Sequence, residues 1–482
     1  MADRRVEKWT REKSMAGEFA ADLGDARRNR RAQQVGSELA RKPELSLPKV
    51  FADEAQLQAV YDLLGNDLVA WRDLLKPHIE RTHERARGAG DVLAVHDTTD
   101  VAFRLYWPDE QRQDMISMSS RTQGFFLHTS LCVTATGPVL PLGVLDLQPY
   151  VNRKKLAASG AETQKFWATE EGVFDNEQER WFRSVAVADD ELGHRGVRPI
   201  HVMDRETDSY GLLSWMAHHD FRFVVRCDDS RKARCDAEMR AVGVVDVELG
   251  ERFPLRSGSK ADKHPPRRAR SARLTVRSAP VTLQRTKTVK DQSWSPPGFE
   301  QPKTLGLNLV EAIELAPPAG EKAVRWLLLT KEPIGTEAEV LRVLDWYRRR
   351  WIIEEFFKAT KTGCRLEKRQ LDSAAAMLRM VAFLLPSAWR LLLLRSASQQ
   401  MPDLAWHHLL TPLEFRILQR MLPKFKLTKA ATVAQCYLAI ARLGGHLKRN
   451  GPPGWQSLQA GWARLQELSL GAKVGGRDAI NL

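Results

Sequence analysis

Cysteine is scarce in this sequence: Cys132, Cys227, Cys235, Cys364 and Cys436 are all there are in 482 residues. They are scattered, odd in number and form no CxxC pair. That argues against a disulfide framework and a structural zinc site, and fits a reducing cytoplasm. Long apolar runs are missing too. The most apolar stretch, 380–389, is interrupted by Pro386 and closed by Arg390, far short of the ~20 residues that cross a bilayer. Residues 1–13 carry charges of both signs and no apolar core, so no secretion signal is expected. Gly (30) and Pro (24) are too few for a collagenous or low-complexity chain, and 43% hydrophobic with 28% charged residues excludes a disordered one. Acid is in deficit: 60 Asp and Glu against 74 Lys and Arg leave a net charge of +14. That excess points to a polyanionic partner, most often nucleic acid. At ~150 residues per domain the length suggests about three domains.

Residues 1–75 read as helical. The stretch 15–41 is free of Pro and reads as one long helix, in which LGDARRNRR (23–31) puts Arg27, Arg28 and Arg31 at i, i+1 and i+4. Pro43 and Pro48 break the pattern before helical stretches at 53–64 and 66–87, ended by Gly88 and Gly90. Strand signals follow at 91–103 (DVLAVHDTTDVAF), 125–135 and 139–151, then a helix at 176–192 and strands within 198–210 (RPIHVMDRETDSY) and at 221–227. From about 229 to 321 short alternating strands such as ARLTVRS and VTLQRTKTV suggest a β insertion. Between 256 and 290 it holds eleven Lys or Arg against one acid, Asp262, a run suited to holding a nucleic-acid backbone without sequence preference. AVRWLLLT (323–330) reads as a buried strand. TEAEV caps a long helix that starts near Thr336 and is expected to reach about Thr362. A mostly apolar helix at 373–396 must be buried, and the remainder is helical with a Gly/Pro turn at 451–454.

Three acids stand out by context. Asp97 and Asp204 each end an apolar strand, and Glu354 lies on the long helix. Strand-end carboxylates joined by a helix carboxylate can hold hard cations such as Mg²⁺. Two such ions about 4 Å apart hold the attacking and leaving oxygens of an in-line phosphoryl displacement. Taken singly, each Asp reads more simply as a turn or cap residue. On the helix, Tyr347, Arg350, Glu354, Lys358 and Lys361 fall within an arc of about 80° at ~100° per residue. One face then carries a carboxylate among a phenol, a guanidinium and two ammonium groups, which suits a phosphodiester. The plainer reading is a solvated face with a Glu354–Lys358 ion pair.

The spacing Tyr347-x2-Arg350-x3-Glu354-x6-Lys361 resembles the signature of the IS-four family of bacterial insertion-sequence transposases. DRET around Asp204 and HDTTD around Asp97 resemble that family's two aspartate boxes. LGDARRNRR, RFVVR (222–226), RWLLLTKEP (325–333), WIIEEF (351–356) and AIARLGGHL (439–447) resemble segments of the transposon-five type in the same order. The resemblance implies an α/β fold: a ribonuclease H-like catalytic core at 76–399 with a β insertion at about 229–321. A helical DNA-binding domain at 1–75 and a helical dimerisation domain at 400–482 flank it. It implies a cut-and-paste DNA transposase that cleaves transposon ends through a hairpin and joins them to target DNA. Asp97, Asp204 and Glu354 would be the catalytic acids, holding two Mg²⁺ ions for which Mn²⁺ can substitute. Tyr347, Arg350, Lys358 and Lys361 would contact phosphate, Trp326 would receive a flipped base, and Arg226 would contact DNA. Arg27, Arg28 and Arg31 are candidates for end recognition. Partners would be double-stranded DNA, as terminal inverted repeats and target, and a second copy in a synaptic homodimer, with no membrane. The place would be the bacterial cytoplasm, at the nucleoid. His96 and Asp228 depart from the family, which has a carboxylate and a lysine there. The alternatives are a catalytically silent protein that occupies transposon ends, and a nuclease without strand transfer.

Overall fold

A computed structural model describes residues 15–105, 112–174, 178–229, 231, 233–249, 268–285 and 295–474. The chain forms two compact units, one of Met1–Pro199 with Trp351–Leu482, the other Ile200–Arg350.

The first unit opens with the 3₁₀ segment Met15–Phe19 and helix α1, Ala26–Arg41. The expected single helix from residue 15 is thus broken. Gly24 takes φ +69, and the Asp25 carboxylate accepts the N–H groups of Arg27 and Arg28, so Asp25 is spent as an N-cap. Asp53 likewise caps α2, Glu54–Leu64. Helix α3, Trp71–Ala89, starts later than the expected 66 because Asn66 closes a turn onto the Leu68 N–H. It ends at Gly90 with φ +84, a conformation that favours glycine.

Strands β1 (Val92–Arg104), β2 (Ile116–Ser119), β3 (Thr122–Thr134) and β4 (Pro141–Tyr150) follow. β3 pairs with β1 along its whole length and with β2 and β4 on its other edge, all antiparallel. Helix α4, Glu179–Gly193, covers the face that carries His128, whose ring meets Trp181 edge-on. Residues 175–177, the start of the helix expected at 176, lie outside the described residues.

The second unit holds β5 (Ile200–Met203), helix α5 (Tyr210–His218), β6 (Arg222–Arg226), β7 (Ala233–Cys235), β8 (Arg240–Leu249), β9 (Arg270–Gln284), β10 (Thr304–Glu314), β11 (Arg325–Thr330) and helix α6 (Glu337–Arg349). Its strands run β5-β6-β11-β10-β9, with β7 and β8 both on the outer edge of β9; β5 and β6 are parallel, the others antiparallel. ARLTVRS (272–278) and the first four residues of VTLQRTKTV (281–284) belong to one strand, β9, instead of two. Pro280 falls where β8 has ended at Ser278 and β7 has not begun at Val281, so its missing N–H breaks no ladder bond there. Of the basic run 256–290, residues 256–267 and 286–290 lie outside the described residues. Arg270, Arg273 and Arg277 within it are paired with Glu314, Asp246 and Glu311.

The Thr336–Glu339 capping box expected at the start of α6 is present. The helix does not reach residue 362. Arg350 bonds back three residues to Tyr347, and a separate helix α7, Ile352–Lys358, follows the turn. A π turn, Ala359–Gly363, comes next. The winding switches from α to 3₁₀ to π, so the continuous α-helix assumed for the calculated face from Tyr347 to Lys361 is not present.

In the first unit, Ser373 caps α8, Ala374–Gln400. It is long and apolar enough, by length and composition, to cross a membrane, contrary to the sequence expectation, but its most apolar window is wholly buried in the protein. Its buried Arg379 donates to the carbonyls of Val69 and Leu64, and Arg390 to that of Leu409. These bonds make it a core helix. Helices α9 (Pro412–Met421), α10 (Val433–Leu443) and α11 (Trp455–Val474) complete the described residues. α10 and α11 meet at Gly461, where a Cβ would lie 1.7 Å from the Ile440 carbonyl oxygen.

Candidate active site and nucleic-acid interface

Helix α7 sets Glu354. Its Phe356 and Phe357 line a small cavity with Thr99 and Val101 of β1, Leu127 and Thr129 of β3, and Leu385 of α8. Burying both phenyls against β1 pins one side of α7 and so limits where half-buried Glu354 emerges. Asp97, also half-buried, stands opposite Thr129 and accepts the Thr98 N–H at 2.8 Å. Strand alternation puts Asp97 on the face of Thr99 and Val101, the face α7 covers. Two of the three acids therefore come from packed elements of one unit. His96 points the other way. It is fully buried, its Nδ1 is 2.7 Å from Ser130 Oγ, and its ring stacks at 6.3 Å on His128. It belongs to the core beneath α4.

The two lysines of the signature are engaged. Lys361, in the π turn, pairs with Asp100 at 2.9 Å and Glu367 at 3.4 Å. Lys358 pairs with Glu355 at 2.8 Å and lies 5.6 Å over the Trp351 ring.

In the second unit Asp204 follows β5 directly. Its carboxylate accepts the Glu206 N–H at 2.9 Å and its carbonyl the Thr207 hydroxyl at 2.6 Å. The cap reading thus holds, and the cap fixes the carboxylate at the strand end. Trp326, Tyr347 and Arg226 form one cluster. The two rings lie 5.5 Å apart at 65°. Arg226 donates to the Tyr347 hydroxyl at 3.5 Å and to the Arg325 carbonyl at 3.1 Å. Trp326 is half-buried, whereas Tyr347 and Arg350 are buried. Asp228 donates its N–H to Asp208, which also pairs with Arg231.

Burial pushes Cys132, Cys227, Cys364 and Cys436 up to about 12, so none is a thiolate near neutral pH. Among the described residues no three His, Cys, Asp or Glu side chains converge closely enough to hold a metal ion. The acids present fit a hard cation in kind, since Mg²⁺ takes a few carboxylate oxygens and keeps several waters.

On α1, Arg27 and Arg30 are exposed, and Arg28 and Arg31 half-exposed. Further along, the helix buries Ala32, Val35 and Leu39.

A transposase DNA-binding family model matches residues 8–69, and a transposase DDE domain model matches residues 185–385. This chain is a DDE-type transposase. The DDE match takes in Asp204, Trp326, Tyr347, Arg350, Glu354 and Lys361 but does not extend to Asp97. The DNA-binding match takes in α1 and α2, so the transposase carries its arginine cluster within a DNA-binding segment. The family depends on a divalent metal. A cryo-EM structure of a piggyBac transposase synaptic complex with hairpin DNA is similar over 88% of this chain and 75% of that one. Identity is 10% and the TM-score 0.25, a likeness too slight to argue from.

Two polar clusters of the transposase had no local signal in the sequence. Glu18 is buried with His78, Arg81 and Arg85. Glu355 meets Arg395 and Trp455. Their members lie far apart in the chain, and only folding pairs them.

Proposed function

We propose that this transposase is a cut-and-paste enzyme of the IS-four family, of the transposon-five type, built on a ribonuclease H-like core with Asp97, Asp204 and Glu354 as its catalytic acids. The observation that carries the reading is the union, in one chain, of a transposase DNA-binding segment with a DDE domain that includes Asp204 and Glu354. The common sheet face of Asp97 and the α7 packing supports it. These acids would hold two Mg²⁺ ions, replaceable by Mn²⁺, which supply charge neutralisation at the attacking and leaving oxygens of a phosphoryl transfer.

The protein's own side chains bind and orient the DNA. Arg226 holds the Tyr347 phenol beside Trp326, leaving a half-buried aromatic edge against which an unpaired base can stack. Lys361, now held by Asp100 and Glu367, is a cation that a phosphate oxygen would compete for. Water cuts one strand at the transposon end, and the freed 3′-hydroxyl attacks the opposite strand to form a hairpin. Water opens the hairpin before the end joins target DNA. The domains follow as 1–75 for DNA binding, 76–399 for catalysis and 400–482 for a homodimer, working in the bacterial cytoplasm at the nucleoid.

Incubation with end-bearing DNA and Mg²⁺ or Mn²⁺ tests the reading. Hairpin ends and integration products are expected. Cleavage without integration would instead indicate a nuclease, and binding without products a silent end-binder.

The arginines of α1 sit at a helix N-terminus, where the dipole disfavours cations but attracts phosphate. Replacing Arg27, Arg28 and Arg31 together by Ala should weaken end binding about 10- to 100-fold. The slope of log affinity against log salt should flatten by about 0.9 for each phosphate no longer neutralised. Anisotropy titrations across salt measure both. An unchanged slope would place the DNA-binding cations elsewhere.

A further inference from the structure

The geometry points to Glu355 as a positioning residue: through it the C-terminal helices set the rotation of α7 and so the direction of the Glu354 carboxylate. The inference rests on the reading of Glu354 as a metal-binding acid. Glu355 follows Glu354 in the first turn of α7, and its side chain is 22% exposed. Three donors converge on it. Lys358 Nζ lies 2.8 Å from Oε1; Trp455 Nε1 lies 3.2 Å and Arg395 Nε 3.6 Å from Oε2. Arg395 is itself held from behind. Its guanidinium lies 4.9 Å over the Trp455 ring and donates to the Pro453 carbonyl at 3.0 Å and the Tyr437 hydroxyl at 3.5 Å. That hydroxyl donates in turn to Pro453 at 3.3 Å. Helices α8, α10 and α11 and the turn before α11 thus meet at one carboxylate.

The reason this matters is that α7 is short. It has seven residues between a tight turn and a π turn, too few for its own backbone bonds to hold it. Phe356 and Phe357 pin one side to β1. The Trp455 hydrogen bond and the Arg395 ion pair at Glu355 pin another, Lys358 being part of α7 itself. Consecutive residues point ~100° apart on a helix, so holding Glu355 also holds Glu354. A rotation of about 20° would move a carboxylate, about 5–6 Å from the axis, by about 2 Å. Metal-ligand distances tolerate about 0.2 Å. The C-terminal helices would then serve the chemistry as well as assembly.

The test uses the full chain carrying Glu355→Ala, Glu355→Gln or Trp455→Phe, beside wild type and Glu354→Gln. Without metal or DNA, amide exchange in α7 should quicken about tenfold in Glu355→Ala. The effect should be smaller in Glu355→Gln, which keeps an acceptor for Trp455, and smallest in Trp455→Phe. The Mg²⁺ concentration for half-maximal end cleavage should rise about tenfold in Glu355→Ala, in the same order of variants. Cleavage at saturating Mg²⁺ should largely recover. Wild-type exchange in α7, or an unmoved Mg²⁺ midpoint, would overturn the inference. If Glu355→Ala does not fold, Trp455→Phe carries the test, since it removes one N–H and keeps the ring under Arg395. Cleavage retained in Glu354→Gln would instead overturn the assignment of Glu354. An inactive Glu354→Gln beside unshifted Glu355 variants would remove this inference alone.

Discussion

Glu354→Gln should lower transposon-end cleavage by about 10³-fold or more, and Asp97→Asn and Asp204→Asn should each do the same. These substitutions keep shape and remove charge. Asn at 204 can still accept the Glu206 N–H, and Asn at 97 the Thr98 N–H, so both local turns survive. Gln at 354 leaves Phe356 and Phe357 in their cavity. The loss is then one of metal binding and not of folding. End binding should stay within about threefold of wild type, because affinity for DNA comes from cations on phosphates and a carboxylate contributes none of it. Gel assays of nicked and hairpin products, beside anisotropy on the same DNA, separate the two effects. A variant that still cleaves removes its residue from the site. Asp97 is the most informative of the three, since it lies outside the matched DDE segment.

The largest stability effect is expected at Glu18. Its carboxylate, 4% exposed, is 2.7 Å from Arg85 Nη1, 3.0 Å from Arg81 Nε and 2.5 Å from His78 Nδ1. His78 Nε2 accepts the Val144 N–H, so its proton sits on Nδ1 and the ring is neutral, in keeping with the downward push of burial on its pKa. Arg85 also stacks 4.1 Å over Trp389. Removing Glu18 leaves a buried guanidinium without its counter-charge, and Glu18→Ala should cost about 3–5 kcal/mol. Burial pushes the Glu18 carboxyl up, but the Arg85 charge, with the hydrogen bonds from His78 and Arg85, pulls it down to about 2 from 4.5. With the folded value below the unfolded one, the contribution is complete above about pH 4.5 and is lost as pH falls toward 2. The difference amounts to about 3 kcal/mol. Denaturant melts from pH 7 to 3 should show wild type losing stability faster than Glu18→Gln. Parallel curves would mean the cluster does not carry the charge assigned to it.

Elements with a local signal were legible in the sequence. The strands that became β1, β5, β6 and β11 are runs of branched and aromatic residues, and Asp204 follows β5 directly as expected, but Asp97 falls in the middle of its strand because the pairing with β3 carries β1 on to Arg104. Thr336 and Glu339 are three residues apart and announce their own cap. Elements whose local signal had a competitor were misread. Asp25 looked like a helical residue and is an N-cap. The three arginines 348–350 looked like helix interior, yet the α winding stops there.

From the order of residues alone came the stock of chemistry: acids in strand and helix settings, arginines at the start of α1, and aromatics near Arg226. Period and capping are short-range properties, so they survive without a fold. The choice of partner for each charge came from folding. Lys361 meets Asp100 across 261 residues, and Glu355 meets Trp455 across 100. Such pairings depend on distance and burial, and neither quantity exists until the chain has closed on itself.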